Sequence, residues 1–383
     1  MRLLFIQNMN GLSGSELYLL QILPELKNRG YEVEMLVVYQ SLVDNSKFIN
    51  SLEAQSITTH QIYGYHFLSP FFLFKLNKLI TSGNYDLIQS NLIHADLWVA
   101  FLKFTINSKI KMISVKHGYD PNYQAKYGYD FNYLKRGSYY WIERFASKFA
   151  DFNITISKGL YNVFVDGGIS PKENTKNIYY GLTFKPKEEV FLEESKNEHY
   201  VLITGRLIAC KGHSYLIKAW LLVINKYPSL KLYIAGDGEM RVELEEEVRN
   251  LGLENVIIFL GYVTNPHPIM KNCIFTVVCT NWEGFGLILL ESWLHKKPIV
   301  AFNAPAMNEI IDDKENGLLV KLNDEKDLAE KIIYLYERPQ LIKEYGENGY
   351  EKLNSYYTLK RMTDETETVY KHVLNKSILN QNV

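Results

Sequence analysis

The sequence of 383 residues has few cysteines, almost no net charge and no long apolar run. Its 3 cysteines lack the spacing of metal ligands, and an odd number argues against a disulfide framework. The formal net charge of -1 gives no reason to expect a nucleic-acid partner. No stretch is apolar enough for a membrane-spanning helix, and the first apolar run is too short for a secretory signal. We therefore expect a cytoplasmic protein.

The composition and length favour two globular α/β domains. Hydrophobic residues make up 47% of the chain and charged residues 22%, which is typical of a folded protein. The chain is too long for one ordinary core. Strand-like runs at 3–7 and 33–39 alternate with amphipathic helical patterns, which predicts parallel sheets with helices on both faces. The charged stretch 185–198 has the composition of an inter-domain connector.

The stretch 281–292 carries the sharpest chemical pattern. A glycine-bearing turn follows a strand-like run and opens into an apolar helical pattern, where the free N–H groups of a helix start favour an anion. Gly284 and Gly286 would let a ligand approach the backbone closely. Glu283 lies in the turn, and Glu291 lies about two helical turns later on roughly the same face. A buried Glu291 would need a partner such as a ribose diol or a sugar hydroxyl; the alternative is a solvated helix residue.

Two predicted strand ends in the first half of the chain carry candidate ligand contacts. Gly14 stands beside Ser15, which is placed to cap the next helix, so that a ligand could approach the helix N-terminus. His117 follows another predicted strand, and parallel sheets bind ligands at the carboxyl ends of their strands. The alternatives are a plain capped turn at Gly14 and a structural histidine at position 117.

Two cations follow the first predicted strand of the second half. Arg206 and Lys211 stand beside Gly205, directly after the strand-like run 200–204. An arginine can donate two parallel hydrogen bonds to phosphate oxygens, and a lysine supplies a compact positive charge. The pair therefore suits a diphosphate, and the alternative is two ordinary surface cations.

These motifs resemble those of the family 4 retaining glycosyltransferases, also called glycosyl transferases group 1. The carriers of the resemblance are E-G-F-G-L-I-L-L-E at 283–291, G-R-x4-K-G at 205–212, and the loop around Gly14, where Ser13 replaces the first glycine of G-G-[ST]-E. In the second half, Ala304 and Ala306 depart from the family's glycine-rich loop before a matching glutamate. The resemblance covers nearly the whole chain and is strongest in its second half.

The resemblance implies the GT-B fold, an α/β architecture in which two Rossmann-like domains face each other across a cleft. It implies an acceptor-binding domain at 1–185 and a domain at 186–355 that binds the nucleotide-sugar donor. A closing helix at about 356–383 would cross back onto the first domain.

The resemblance also implies a role for each motif. Glu291 would bind the ribose, Glu283 the sugar hydroxyls, and the two cations the leaving nucleoside diphosphate. The residues given catalytic roles are His117, Arg206, Lys211 and Glu283. The residues given donor contacts are Gly14, Gly205, Gly236, Tyr262, Phe285, Gly286, Leu287 and Glu291.

The implied activity is retaining transfer of a sugar from a nucleoside-diphosphate sugar to a glycan or lipid-linked acceptor, in bacterial surface-polysaccharide synthesis. The sequence has no Asp-x-Asp motif, the usual metal signature of the other large transferase fold, so we expect neither a metal nor another cofactor. The apolar run 66–75 forms either a core helix or a contact with the inner face of the cell membrane. The alternative functions are a GT-B epimerase or phosphorylase, and a non-catalytic protein that binds glycan or nucleotide.

Overall fold

The computed structural model describes residues 1–9, 14–39, 45–63, 69–120, 131–183 and 199–381. The predicted connector at 185–198, residues 66–68 of the apolar run and Ser13 lie outside the described residues. The chain forms two compact units: the first holds the described residues up to 183 together with 358–381, and the second holds 199–357. The assignment of acceptor and donor binding to the two units stays a prediction.

The first unit is built on a parallel sheet of seven strands in the order β3-β2-β1-β4-β5-β6-β7. The strands are β1 Arg2–Asn8, β2 Glu32–Tyr39, β3 Thr58–Tyr63, β4 Leu87–Asn91, β5 Met112–Lys116, β6 Phe152–Thr155 and β7 Thr175–Asn177. The helices are α1 Gly14–Asn28, α2 Ser46–Glu53, α3 Pro70–Gly83, α4 Leu92–Thr105, α5 Ser138–Phe149 and α6 Lys158–Val165, with 3-10 turns at Phe131–Arg136 and Lys172–Asn174. The strand order reverses between β1 and β4, and such a switch point opens a crevice at the carboxyl ends of the strands.

The second unit is built on a parallel sheet of six strands in the order β10-β9-β8-β11-β12-β13. The strands are β8 Tyr200–Thr204, β9 Lys231–Ala235, β10 Ile257–Gly261, β11 Thr276–Val278, β12 Ile299–Phe302 and β13 Gly317–Val320. The helices are α7 His213–Lys226, α8 Arg241–Asn250, α9 His267–Asn272, α10 Leu287–Leu294, α11 Met307–Ile310, α12 Glu325–Tyr336 and α13 Pro339–Ser355, with a 3-10 turn at Ala209–Lys211. The switch point lies between β8 and β11, whose following loops carry the two strongest motifs.

The strands have the apolar composition that parallel sheets require. In β1, the run from Leu3 to Ile6 is fully buried, because helices cover both faces of a parallel sheet. In the second unit, Val300 and Phe302 of β12 pack with Trp220 of α7 in one buried apolar cluster. The predicted alternation of strands and helices around parallel sheets is therefore confirmed.

The last helix, α14 Leu359–Gln381, packs within the first unit. Arg29, directly after α1, forms an ion pair with Asp364 at 2.6 Å, and Leu182 forms a parallel bridge with Thr358 just before α14. Arg361 donates to the main-chain oxygen of Tyr179 at 2.9 Å. Within the described part of the chain, no helix combines the length and the apolar character that crossing a bilayer requires.

The apolar run 66–75 is partly core and partly surface. Helix α3 begins inside the run, where the Ser69 hydroxyl accepts from the N–H of Phe72 at 3.2 Å. Phe72 and Leu73 are buried, whereas Phe71 and Phe74 are 68% and 65% exposed. The described part of the run therefore combines features of both alternatives considered from the sequence.

Candidate functional site

Three loops of the second unit meet at the carboxyl edge of its sheet. The N–H of Gly205, after β8, donates to Ala235 O at 3.0 Å, and the N–H of Gly236 donates to Gly261 O at 2.8 Å. Tyr262 follows Gly261 and is 73% exposed. The structure therefore brings Gly205, Gly236 and the start of the Tyr262 loop side by side, although the sequence separates them widely.

The loop after β8 also joins the loop after β11 through the carbonyl of Cys210. This oxygen accepts from the N–H of Asn281 at 2.8 Å and from the Thr280 hydroxyl at 3.1 Å. Gly212 has a φ of +67°, and a Cβ atom there would overlap the main-chain oxygen of Cys279. Only glycine allows this approach without a shift of the backbone, so the two motifs are held together by their main chains.

The junction places a cation directly against a carboxylate. Lys211 Nζ lies 2.5 Å from Glu283 Oε2, and the side chains are 21% and 22% exposed. Burial raises the pKa of the Cys210 thiol, and the charges of Lys211, Glu283 and Arg206 all act on that thiol. The three charged side chains therefore lie close enough to the Cys210 sulfur to affect its ionisation. Because the pKa of the thiol is raised, Cys210 is not activated as a nucleophile.

Arg206 differs from Lys211 in having no internal partner. Its side chain is exposed, and among the described residues it has neither an ion pair nor a hydrogen bond. A permanent cation on a strand-end loop is available to a bound anion. Among the described residues, the site therefore offers Arg206 without an ion pair and Lys211 paired with a carboxylate.

The predicted phosphate contacts lie at the N-terminus of α10. Gly286 precedes the helix with a φ of +89° and provides no side-chain cap, and a Cβ atom there would come within 2.5 Å of Met307 Cε. Leu287 is the first helical residue, and the buried ring of Phe285 contacts Tyr357 with ring centroids 6.0 Å apart. The geometry leaves main-chain N–H groups of a helix start open for an anion.

Glu291, about one turn into α10, is the second carboxylate of the motif. Among the described residues it forms neither an ion pair nor a hydrogen bond, and burial raises its pKa to about 7. The pKa of a solvated carboxyl group would not be raised in this way, so the structure disfavours the alternative of a solvated helix residue. Glu283 and Glu291 thus belong to one motif but have different surroundings.

The loop that contains Ala304 and Ala306, which departs from the family pattern, has an internal hydrogen bond. Ala306 has a φ of +69°, and Glu309 Oε1 accepts from the N–H of Ala306 at 3.2 Å. Ala304 and Ala306 are fully buried. An alanine in the left-handed region is strained, so we infer that packing and the Glu309 bond hold this loop in place.

In the first unit, Gly14 is the first residue of α1 and the expected cap is wrong. Ser15 lies inside the first turn, where its hydroxyl accepts from Gln7 Nε2 at 3.2 Å and donates to Glu16 Oε2 at 3.1 Å. Because α1 already begins at Gly14, Ser15 is a helical residue, and its hydroxyl pairs with the buried Gln7 side chain of β1. Ser15 and Glu16 are therefore part of a buried polar cluster below Gly14.

His117, directly after β5, is held by both ring nitrogens. Nδ1 contacts the Tyr180 hydroxyl, and Nε2 lies 3.1 Å from Asn91 Oδ1. Burial, with a smaller effect of the neighbouring Lys116 charge, lowers the pKa of His117 to about 3. The imidazole is therefore neutral at physiological pH. Gly14 and His117 belong to the first unit, and the other predicted site residues belong to the second.

A buried ionic cluster lies next to His117, and no sequence motif indicates it. Lys116 Nζ lies 2.7 Å from Asp96 Oδ2 and 2.7 Å from Glu143 Oε2, and these side chains are at most 2% exposed. Ser114 donates to Asp96 at 2.7 Å, and burial raises the pKa of Glu143. The residues come from a strand and two different helices, so no local spacing could have revealed the cluster. No group of three or more described His, Cys, Asp or Glu residues is arranged to hold a metal ion.

Comparison with known proteins gives matches to both halves of the chain. The family described as "Glycosyltransferase Family 4" matches residues 12–181, and "Glycosyl transferases group 1" matches residues 184–352. EpsD of Bacillus subtilis, whose name assigns it to the glycosyltransferases, is 28% identical over 243 residues, which cover 61% of this chain and 63% of EpsD.

A second relative and a solved structure extend the comparison. A Campylobacter jejuni protein, named as an N-acetylgalactosamine-N,N'-diacetylbacillosaminyl-diphospho-undecaprenol 4-alpha-N-acetylgalactosaminyltransferase, is 28% identical over 218 residues, 56% of this chain and 59% of that protein. The chain thus spans about three fifths of the length of these two relatives.

The crystal structure of HepE from Anabaena in complex with UDP-glucose superimposes with a TM-score of 0.79 at 23% identity, covering 97% of this chain and 100% of that one. This likeness confirms the GT-B fold predicted from the sequence. With both halves matched and the two sheets of that fold present, the chain belongs to the family 4, group 1 glycosyltransferases.

Proposed function

We propose that this protein transfers a sugar from a nucleoside-diphosphate sugar to a glycan or lipid-linked acceptor, with retention of configuration and without a metal ion. One observation carries the proposal: the Cys210 carbonyl joins the Arg206–Lys211 loop to the Glu283 turn at the switch point of the second sheet. Groups suited to a diphosphate and a group suited to sugar hydroxyls therefore lie side by side.

The chemistry follows from these charges. The bond between the anomeric carbon and the phosphate oxygen breaks, and the charge that develops on the diphosphate is stabilised by Arg206, by Lys211 and by N–H groups at the start of α10. The acceptor oxygen bonds to the same face of the anomeric carbon, and its proton passes to the departing phosphate oxygen. Two cations supply the charge that a divalent metal would otherwise provide, which supports metal independence.

The two carboxylates would orient the donor. Glu283 would accept hydrogen bonds from the sugar hydroxyls, after Lys211 exchanges its carboxylate partner for a phosphate oxygen. Glu291 would accept from the ribose diol, which would supply the partner that the half-buried carboxyl group lacks.

The relatives guide the choice of substrates. The HepE crystal structures contain UDP, glucose or UDP-glucose, and the Campylobacter protein is named for a diphospho-undecaprenol acceptor. We therefore propose a UDP-sugar as donor and a lipid-linked glycan as acceptor, in bacterial surface-polysaccharide synthesis.

A lipid-linked acceptor would bring the protein to the inner face of the cell membrane. The exposed side of α3 combines the aromatic rings of Phe71 and Phe74 with the exposed cations Lys75 and Lys78, and Lys75 Nζ lies 4.4 Å from the centroid of the Phe71 ring. Aromatic and basic residues on one helix face are typical of peripheral binding to anionic lipid. We propose that this face makes the contact.

A thermal-shift screen of nucleotide sugars tests the donor site, because a ligand that binds the folded state raises its apparent stability. We expect a UDP-sugar to shift the wild-type protein, and Arg206→Ala and Glu291→Ala to abolish the shift. Lys218→Ala, which removes a cation from the exposed side of α7, is the matched control and should keep it.

Transfer to a lipid-linked acceptor should then proceed undiminished in EDTA, with a product of retained configuration. A strict metal requirement would refute metal independence. Conversion of the donor without any acceptor would indicate an epimerase. Turnover that depends on phosphate would indicate a phosphorylase, and donor binding without turnover would indicate a non-catalytic protein.

A further inference from the structure

Both hydrogen bonds of the His117 ring lead back to the last helix, α14. We propose that α14 is a positioning element for His117: Tyr370 stabilises the amide orientation that gives the imidazole its tautomer, and Arg361 holds the segment that carries the second hydrogen-bond partner. The tautomer is a property of the fold, and its consequence for sugar transfer rests on the proposed function.

The first branch runs from Tyr370 through two amide side chains. The Tyr370 hydroxyl donates to Gln89 Oε1 at 2.5 Å, Gln89 Nε2 lies 3.5 Å from Asn91 Oδ1, and that oxygen lies 3.1 Å from His117 Nε2. Tyr370, Gln89 and Asn91 are fully buried. Loss of any partner therefore leaves a buried polar atom unsatisfied.

The direction of these bonds is fixed by a main-chain oxygen. Asn91 Nδ2 lies 3.4 Å from Ile6 O, which can only accept. Asn91 must therefore turn its Oδ1 towards His117 and Gln89. Gln89 must turn its N–H groups towards Asn91 and towards the Tyr18 hydroxyl, to which Nε2 donates at 3.1 Å. Gln89 Oε1 then faces Tyr370, whose O–H is its donor. In this arrangement His117 carries its proton on Nε2.

The second branch holds the other ring nitrogen. Because Nε2 carries the proton, Nδ1 of His117 accepts from the Tyr180 hydroxyl. Arg361 Nη2 donates to the main-chain oxygens of residues 179 and 180 at 2.9 and 3.3 Å, and the N–H of Gly181 lies 3.3 Å from Met362 Sδ. Two side chains of α14 thus hold the segment that carries Tyr180.

This arrangement restricts what His117 can do. The ring is neutral and its Nδ1 is occupied, so the group that it can present to a sugar is the Nε2–H, which it shares with Asn91. His117 then acts as a hydrogen-bond donor to a sugar oxygen and not as a general base. Tyr370 and Arg361 are positioning residues, because they act through other side chains or through the main chain.

Nitrogen NMR of protein labelled with ¹⁵N-histidine tests the tautomer directly, with His117→Gln identifying the signals. The wild-type protein should show His117 protonated at Nε2. In Tyr370→Phe, which removes only the donor, the tautomer equilibrium should shift about five- to tenfold towards Nδ1–H, as expected for one lost hydrogen bond.

Thr366→Val is the matched control. Thr366 also lies on α14, is 1% exposed, and donates to the main-chain oxygen of Met362 at 2.8 Å without joining the network. It should leave the tautomer unchanged. A wild-type ring protonated at Nδ1, an unchanged tautomer in Tyr370→Phe, or an equal shift in Thr366→Val would each overturn the proposal.

A kinetic measurement tests the consequence for transfer. With UDP-glucose as the first donor probe, Tyr370→Phe should lower kcat about five- to tenfold with little change in the donor KM, whereas Thr366→Val should retain wild-type kcat. If no donor is turned over while the NMR shift occurs as expected, the proposed function fails and the positioning by α14 stands. If turnover occurs and both variants behave alike, the role of Tyr370 in transfer fails.

Discussion

Replacement of Glu291 by glutamine should make the stability of the protein less dependent on pH. In the folded protein burial raises the pKa of this carboxyl group from 4.5 to about 7. Between these values the folded state holds a proton that the unfolded state has lost, so the free energy of unfolding falls as the pH rises from about 4.5 to 7. Above about pH 7 the carboxyl group is ionised in both states, and its contribution to the free energy of unfolding no longer changes with pH.

The size of the effect follows from the same shift. A rise from 4.5 to about 7 corresponds to a penalty of about 3 kcal/mol for the ionised carboxylate. The side chain keeps some contact with water, so we expect about 2 kcal/mol. Glu291→Gln, which keeps the shape and removes the charge, should therefore stabilise the protein by about 2 kcal/mol at pH 8 and by almost nothing at pH 4.5.

Urea unfolding at several pH values between 4.5 and 8 measures this difference. Glu351→Gln, on the exposed surface of α13, controls for the loss of one negative charge. A stability difference between wild type and Glu291→Gln that is the same at both ends of the range would refute the reasoning.

Donor binding should show the corresponding proton release. A ribose diol donates to a carboxylate, so binding favours the ionised form, and about half of the Glu291 side chains are protonated at pH 7. Affinity for UDP-glucose should rise about tenfold between pH 6 and pH 8 and then level off. The diphosphate of this ligand is esterified at both ends and does not titrate in that range. Calorimetry in two buffers should detect release of about half a proton at pH 7, and Glu291→Gln should abolish it.

Three further changes test other parts of the structure. Glu283→Gln frees Lys211 and should raise the affinity for UDP about three- to tenfold by calorimetry while abolishing transfer, whereas weaker UDP binding would contradict the role of the ion pair. Gly212→Ala forces a Cβ atom onto the Cys279 carbonyl oxygen, so it should lower the free energy of unfolding, measured with urea, by more than about 1 kcal/mol. The same variant should lose the thermal shift caused by UDP. Lys116→Met leaves two buried carboxyl groups without their cation, so it should lower the free energy of unfolding, measured with urea at pH 8, by about 3–5 kcal/mol. A loss below about 1 kcal/mol would show that the cluster contributes little to stability.

The predictable parts of the protein were those in which a few neighbouring residues determine the structure. Alternating strand and helix patterns predicted the parallel sheets, because helices on both faces require apolar strands. The motifs at 205–212 and 283–291 were each recognised from glycines and charges within about ten residues. Their positions after β8 and β11 follow from the rule that parallel strands end at one edge of the sheet.

The contacts between distant segments were not predictable from one sequence. Lys211 and Glu283 were both named, but they are 72 residues apart and nothing local indicates that they form an ion pair. Tyr370 and Gln89 are 281 residues apart, and neither belongs to a motif. The expected cap at Ser15 was wrong because α1 begins at Gly14, and the hydroxyl of Ser15 instead pairs with Gln7 from another element.

The two glutamates of the 283–291 motif have identical side chains but different surroundings, and we expect each to bind a different part of a ligand. Glu283 is paired with Lys211, so a ligand that brings only phosphates must displace a carboxylate from that cation without offering the carboxylate a new partner. Glu291 is half protonated near pH 7, so a ligand without hydroxyl donors for it leaves that carboxyl group unsatisfied. A complete sugar nucleotide meets both requirements, because its phosphates replace Glu283 at Lys211 while its sugar and ribose hydroxyls satisfy the two carboxylates. Under the proposed function, the unliganded site would therefore discriminate against fragments of the donor before any acceptor is present.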